Sequence, residues 1–215
     1  YNRIKSHKIL SIPTGINYSN FNPDNFKLED SRKYFKFQDD EIVIGILAVL
    51  RQFKRHDLFL QAANSLIKKY TNKKLVFVIA GDGPQKESIQ NLIEKLNLTS
   101  NVKMIGHIDN VPEFLNAINI LVLSSDSKEG VPQSAMQGLF MNKPLVATNS
   151  GSTKDLFFEN NFQLVEKGNL NSLIKGISFY LNKSVETSTR SFMMDHFSSK
   201  VMVHKILIIY KKILK

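Results

Sequence analysis

The sequence DSKEGVPQSAMQGLFMNKPLVATNSG, residues 126–151, decides the fold that we predict for this chain. A short apolar run at residues 118–123 comes directly before it and is typical of a buried strand. Pro132 suits the first position of a helix, and residues 133–141 continue in a helix-compatible pattern. A second apolar run, residues 144–148, ends in a polar turn. The order strand, loop, helix, strand predicts a right-handed crossover between two parallel strands.

The same alternation extends along the rest of the chain. Short apolar runs predict strands, and segments with an apolar residue every three to four positions predict the helices between them. The predicted strands lie at residues 8–13, 41–50, 75–80, 102–105, 118–123, 144–148 and 162–165, and the turn at 81–84 is expected to cap a helix through Asp82. About six such units indicate an α/β fold with a doubly wound, open, parallel sheet of the Rossmann-like type.

Composition narrows the classes of partner. The 215 residues carry a formal net charge of +10, which favours an anionic partner such as a nucleotide. The basic residues are spread along the chain, and no nucleic-acid-binding signature is present, so we expect no nucleic acid. The absence of cysteine fits a cytoplasmic protein. Because the first residue is Tyr1 rather than Met, we expect that an N-terminal part is missing.

Glu129 is the first candidate for a functional side chain. Ligands of open α/β sheets bind beyond the carboxyl ends of the strands, and Glu129 falls at such an end, just before a helix start. A helix start offers free backbone N–H groups to a phosphate or to sugar hydroxyls, and a carboxylate beside it can accept hydrogen bonds from those hydroxyls. The alternative is a solvated loop carboxylate that stabilises the helix dipole. No cluster of His, Asp and Glu has the spacing of a metal site, so we expect no metal.

Five short motifs together resemble one family of enzymes. They are IPTGINYSNFNP at residues 12–23, Arg51 with Lys54, GDGP at 81–84, IGHI at 105–108 and EGVPQSAMQ at 129–137. In this order they are similar to the landmarks of the C-terminal domain of retaining GT-B glycosyltransferases of family 4. Arg55 stands where that family commonly has Gly, and Gln137 stands where it usually has a second Glu.

The resemblance implies a reaction and a division of the chain. The family transfers a sugar from a nucleotide-diphosphate donor, here of the UDP or GDP type, to an acceptor hydroxyl and keeps the anomeric configuration, without a further cofactor. Residues 1–23 would be a hinge from a missing N-terminal acceptor domain, residues 24–196 the Rossmann-like donor-binding domain, and residues 197–215 a terminal helix. The isolated chain would then be an inactive donor-binding half.

The same resemblance assigns roles to residues. Glu129 would lie near the anomeric centre, and Lys54 and Arg51 would neutralise the diphosphate. The backbone N–H groups of residues 130, 131 and 133 would face sugar or phosphate, and Gln137 would hold the ribose. Gly83 and Ile108 would contact the nucleotide base. The predicted nucleotide site therefore consists of Gly83, Ile108, Gly130, Val131, Gln133 and Gln137. Solvated basic side chains, turn glycines and a helix-surface Gln are the structural alternatives. His107 is more typical of a loop residue than of a ligand.

Two further interpretations of the whole chain stay open. A sugar-nucleotide epimerase or a phosphorylase can share the GT-B fold, and a non-catalytic module could hold an acidic polymer or lipid on its basic surface. Residues 197–214 predict a basic amphipathic helix, which either binds anionic lipid or packs on the core or on the missing domain. Bacterial surface polysaccharide or glycolipid synthesis is the expected setting, in the cytoplasm, with peripheral contact at the inner face of the membrane as a further expectation.

Overall fold

The central sheet has the predicted architecture. A computed structural model describes residues 9–126, 130–158, 162–182 and 189–214. Within these ranges six strands pair in parallel in the order β3-β2-β1-β4-β5-β6. They are β1 Glu41–Leu47, β2 Lys74–Ala80, β3 Val102–Gly106, β4 Ile120–Leu123, β5 Leu145–Thr148 and β6 Gln163–Val165. The prediction of a doubly wound parallel sheet is confirmed.

Helices cover both faces of this sheet. They are α1 Leu28–Tyr34, α2 His56–Lys69, α3 Lys86–Lys95, α4 Val111–Ala117, α5 Gln133–Phe140, α6 Leu170–Asn182, α7 Arg190–Phe197 and α8 Ser199–Ile213. Buried side chains of α2, α3 and α6 form one apolar layer with the sheet, and those of α4, α5 and α7 form the other. Because the central strands are buried on both faces, they consist of nearly continuous apolar sequence.

Three local predictions were wrong. Residues 9–13 form no strand. Pro132 is not the first residue of α5 but the extended residue before it, with φ −71° and ψ 121°. Asp82 does not cap α3, because its carboxylate accepts from the neighbouring N–H of Gly83 at 2.7 Å and the helix begins only at Lys86.

The strand order creates a switch point beside β1. The chain passes from β1 to β2 and β3 on one side and then returns to β4 on the other. Connections that leave adjacent strands in opposite directions open a crevice at the carboxyl ends of those strands. The loops after β1, β2, β3 and β4 therefore surround the place where a ligand is expected.

The first described residues are held against the last two helices. Ile16 forms an isolated parallel bridge with Ser198, in which the Ile16 N–H donates to Phe197 O at 3.0 Å and the Ser199 N–H donates to Ile16 O at 2.9 Å. In contrast, no residue of α8 is buried, and its exposed apolar side chains include Leu207 and Ile213. Across the described ranges, no helix is long and apolar enough to cross a membrane.

Candidate functional site

A cleft of about 460 Å³ lies at the switch point. Its apolar wall comes from the ends of β1 and β2 and from the loop after β3, including Ala48, Ala80 and Ile108. Among the described residues, six polar side chains line the remainder: Lys54, Asp82, His107, Gln133, Ser134 and Gln137. An apolar wall with a few convergent polar groups is typical of a small-molecule site.

The loop that carries Lys54 is fastened to the end of β4. A 3-10 turn, Gln52–Lys54, follows β1. The fully buried Ser124 hydroxyl donates to Lys54 O at 2.8 Å and lies 3.0 Å from Arg55 O. The Asp126 N–H also donates to Phe53 O at 2.9 Å. Two neighbouring strand-end loops are thus joined through backbone atoms, which gives Lys54 a defined position at the cleft.

Arg55 keeps the loop shape that a glycine would allow. Its φ is 53° and its ψ is 47°, in the left-handed region that glycine adopts most readily. Its guanidinium bonds Asp57 at 2.9 Å and lies 3.4 Å from Asp126. The hydrogen bonds that the Arg55 guanidinium donates to the Asp57 carboxylate are the main cause of the raised pKa of Arg55. Arg55 at the usual glycine position therefore preserves the turn and adds an ion pair to the loop after β4.

The turn after β2 lies directly on the loop after β1. Gly81 and Gly83 have φ values of 140° and 154°, and a Cβ atom would lie 2.0 Å from Ala48 O at Gly81 and 2.8 Å from Leu50 O at Gly83. Both positions therefore require glycine for packing. Gly81 lines the cleft, whereas Gly83 is not among the described residues that do so. The role predicted for Gly83 at a nucleotide base stays a prediction.

The structure separates the predicted site residues into groups. Lys54, Ile108, Gln133 and Gln137 line one cleft, as the hypothesis of a shared site requires. Arg51 instead lines a second cavity beside the same loop.

The residues around Glu129 form the last group. Gly130 is exposed before α5, and Val131 is half-buried against the core. Glu129 lies outside the described residues, so its predicted role stays a prediction. Its nearest described neighbours, Asp126 and Gly130, place the two ends of its loop between β4 and α5.

Several cleft residues were missed or set aside in the sequence. His107 was interpreted as an ordinary loop residue, yet it lines the cleft, with Nε2 at 3.4 Å from Asp109 Oδ1. Asp82 and Ser134 also line it. Their positions in the sequence could have indicated this, because His107 is the first residue after β3 and Asp82 is the second residue after β2. Within the described ranges, no three His, Cys, Asp or Glu side chains are grouped so that they could hold a metal ion.

Comparison with known proteins identifies the family. Residues 27–191 match the family model of the glycosyl transferases group 1. The chain belongs to this family. It is similar to an uncharacterized glycosyltransferase of Methanocaldococcus jannaschii, with 35% identity over 113 residues that cover 53% of the chain and 27% of the relative. It is also similar to the capsular polysaccharide biosynthesis glycosyltransferase CapM of Staphylococcus aureus, with 26% identity over 227 residues that cover 100% of the chain and 58% of CapM.

Solved structures show the same fold for this glycosyl transferase chain. A glycosyltransferase from Rickettsia africae superposes with a TM-score of 0.88 at 22% identity, over 99% of the chain and 59% of that protein. HepE from Anabaena in complex with UDP gives a TM-score of 0.86 at 16% identity, over 97% of the chain and 58% of HepE.

One structure consists of a C-terminal domain alone. The C-terminal domain of LpcC, a group 1 family protein from Francisella tularensis, gives a TM-score of 0.75 at 20% identity, over 86% of the chain and 100% of that domain. The chain thus has the fold of the C-terminal half of a GT-B glycosyl transferase. It spans no more than 59% of the length of CapM, HepE and the Rickettsia protein.

Proposed function

We propose that this chain is the donor-binding part of a retaining glycosyltransferase. The enzyme would transfer a sugar from a nucleotide-diphosphate donor of the UDP or GDP type to an acceptor hydroxyl. The observation that carries the proposal is the cleft at the switch point, where one cation, one apolar wall and the start of α5 meet. These are the groups that a diphosphate, a base and a ribose need.

The proposal gives each side of the cleft a role. Lys54 neutralises the diphosphate and stabilises the charge that develops on it as the sugar leaves. Gln133 begins α5, so its backbone N–H is one of the unpaired donors that bind anions at a helix start. Gln137 lies four residues further on the same helix face and also lines the cleft. Its amide oxygen can accept from a ribose hydroxyl. Ile108 forms the apolar wall beside the base.

The remaining predicted residues complete the proposal. Glu129 would accept hydrogen bonds from the donor sugar at the anomeric end, and the N–H groups of Gly130 and Val131 would face the sugar or phosphate. Arg51 follows the same strand end as Lys54 but lines the neighbouring cavity, so it would add positive charge near the diphosphate from outside the cleft. Gly83 keeps the turn after β2 close to the nucleotide. The proposed site holds no resident metal or other cofactor, since basic side chains and a helix start carry the phosphate charge.

Relatives support the proposed substrate class and setting. HepE has been crystallised with UDP and with UDP-glucose. The poly(ribitol-phosphate) alpha-N-acetylglucosaminyltransferase of Staphylococcus aureus is 27% identical over 195 residues, and the O-antigen biosynthesis glycosyltransferase WclY of Escherichia coli is 26% identical over 186 residues. We therefore assign the chain to bacterial surface polysaccharide or glycolipid synthesis in the cytoplasm. The proposal includes an N-terminal acceptor domain as partner and a peripheral membrane contact through the exposed, lysine-rich α8.

Nucleotide binding tests this proposal directly. Titration calorimetry and thermal shift of the chain with UDP-, GDP-, ADP- and CMP-sugars should show binding of at least one donor, also in the presence of EDTA. Replacing Lys54 by alanine should weaken binding about 10- to 100-fold, because a charge-assisted hydrogen bond contributes about 1.5–3 kcal/mol. Lys95→Ala, at an exposed position near the end of α3, is the matched control and should leave affinity unchanged. Equal affinities of the two variants would refute the role of Lys54.

A further inference from the structure

A second cavity of about 580 Å³ lies beside the same loop. It is formed by the loop after β1, the starts of α2 and α3, and Asp126, and the described residues that line it differ from those that line the cleft. The loop contributes Lys54 to the cleft, whereas Phe53 and Arg55 line the second cavity. The volume falls within the range of about 300–1,000 Å³ that small-molecule sites occupy.

The wall of this cavity contains a buried polar group without a partner. His56 is only 2% exposed, and neither of its ring nitrogens makes a hydrogen bond within the described part of the chain. Burial, with a further contribution from the charge of Lys54, lowers the pKa of His56 to about 4. The imidazole is therefore neutral at pH 7 and presents one donor and one acceptor. Buried polar groups in folded proteins are nearly always hydrogen-bonded. Both ring nitrogens are buried in the wall, so a ligand hydroxyl would complete them when the imidazole turns toward the cavity.

The charges of the cavity favour a neutral ligand. The guanidinium of Arg55 is already shared between Asp57 and Asp126, and all three side chains line the cavity. Burial alone would raise the pKa of Asp57, but the hydrogen bond and charge of Arg55 lower it overall, so this carboxylate is ionised at pH 7. Arg51 also lines the cavity, so two basic and two acidic side chains of the described residues face it and their formal charges cancel, which suits a neutral ligand better than a phosphate or another anion.

The remaining lining residues match a sugar ring. Gln85 and Ser88 present an amide and a hydroxyl at the start of α3, and Phe53, Ile89 and Leu92 supply apolar surface. An amide, an imidazole and a hydroxyl can each both donate and accept, which suits ligand hydroxyls that also do both. The apolar side chains suit the C–H groups of the ring.

We infer that this cavity is a second carbohydrate site, which binds a neutral saccharide unit through His56, Gln85 and Ser88. The inference rests on the proposed function for the class of ligand, since a glycosyltransferase acts on a saccharide-containing acceptor, but binding at the cavity requires no donor. A saccharide held there contacts the loop that also carries Lys54.

Nuclear magnetic resonance of the chain with ¹⁵N label separates the two sites. Methyl glycosides of glucose, galactose, mannose and N-acetylglucosamine are titrated first, and UDP is titrated in a separate sample. At least one glycoside should shift the amide signals of residues 52, 56, 85 and 88, whereas UDP should shift those of residues 81, 108 and 133. Inorganic phosphate should leave the first set unchanged.

Two pairs of variants sharpen the test. Ser88→Arg fills the cavity from an exposed helix position and should abolish glycoside binding. Gln90→Arg adds the same charge at an exposed position of α3 outside the cavity wall and should bind like the unmodified chain. His56→Leu should weaken glycoside binding about tenfold, and His56→Gln should weaken it less because an amide still donates and accepts.

The outcomes distinguish this inference from the proposed function. Glycoside shifts confined to the cleft, binding that Ser88→Arg leaves intact, or no glycoside binding at all would overturn the second site while leaving the donor cleft standing. Displacement of the glycoside by inorganic phosphate would overturn the assignment to a neutral ligand. Glycoside binding at residues 52, 85 and 88 together with a failure of every nucleotide to bind would refute the proposed function and support the second site.

Discussion

Replacing His56 by glutamine should make the chain less sensitive to acid. His56 is 2% exposed at the start of α2, and its neutral form is the one that the folded protein accommodates. Glutamine has no group that titrates near neutral pH. The prediction therefore concerns how much the unfolding free energy of each protein changes with pH. It does not depend on how stable each protein is at one pH.

The magnitude follows from the two pKa values. Burial, followed by the charge of Lys54, lowers the pKa of His56 from 6.5 to about 4 in the folded chain. Between these values the unfolded chain binds a proton that the folded chain does not, so stability decreases as pH falls below 6.5 and levels off below about 4. At about pH 5 the loss amounts to about 2 kcal/mol, and at about pH 7.5 it is close to zero.

Urea unfolding at about pH 7.5 and about pH 5 measures this loss, since the midpoint and slope give the unfolding free energy at each pH. The unmodified chain should lose about 2 kcal/mol more than His56→Gln between the two conditions. His204→Gln, at an exposed position on α8, is the control and should behave like the unmodified chain. The same loss of stability in all three proteins would refute a buried, neutral His56.

Three further substitutions test the construction of the cleft. Ser124→Ala should cost about 1–3 kcal/mol in urea unfolding and also weaken UDP binding, because the carbonyl of Lys54 loses the donor that the buried Ser124 provides. An unchanged affinity would show that this hydrogen bond does not position the loop. Gly81→Ala should destabilise by about 3 kcal/mol or more in a thermal unfolding assay, because its Cβ would overlap a backbone oxygen. Gly130→Ala places its Cβ within 4 Å of no atom of the described residues, so it should be tolerated in the same assay. Gln137→Glu should strengthen UDP binding, measured by calorimetry, about 2- to 10-fold, because a charged acceptor bonds hydroxyls more strongly. An equal increase in affinity for 2′,3′-dideoxy-UDP would contradict contact between residue 137 and the ribose hydroxyls.

The sheet could be predicted from the sequence because its strands are buried on both faces. Residues 41–47 and 74–80 are nearly continuous apolar runs, and each ends where the chain turns toward a helix. The position of the cleft follows from the same pattern, since carboxyl ends of parallel strands meet at one edge. Lys54, Ile108, Gln133 and Gln137, which the family resemblance assigns to one site, all line this cleft, and their roles stay predictions.

The features of the site that the sequence did not predict depend on contacts between segments far apart in the chain. Arg55 meets Asp126 across 71 positions of the chain, and no local pattern predicts that pairing. Arg51 was grouped with Lys54 because both follow the end of a predicted strand and together resemble a family landmark, but the turn between them directs the two residues to different cavities. Asp82 was predicted as a helix cap because its residue type favours caps, but a bond to the adjacent backbone competes for its carboxylate. The burial of His56 became apparent only with the packing of α2.

The bridge between Ile16 and Ser198 couples the folding of the two ends of the described chain. A shortened protein that stops before Phe197 would lose α8 together with the Phe197 carbonyl and the Ser199 N–H that hold Ile16 in place. Proteolysis or truncation at one terminus should therefore expose the opposite one, and expression boundaries at the two termini are best chosen together.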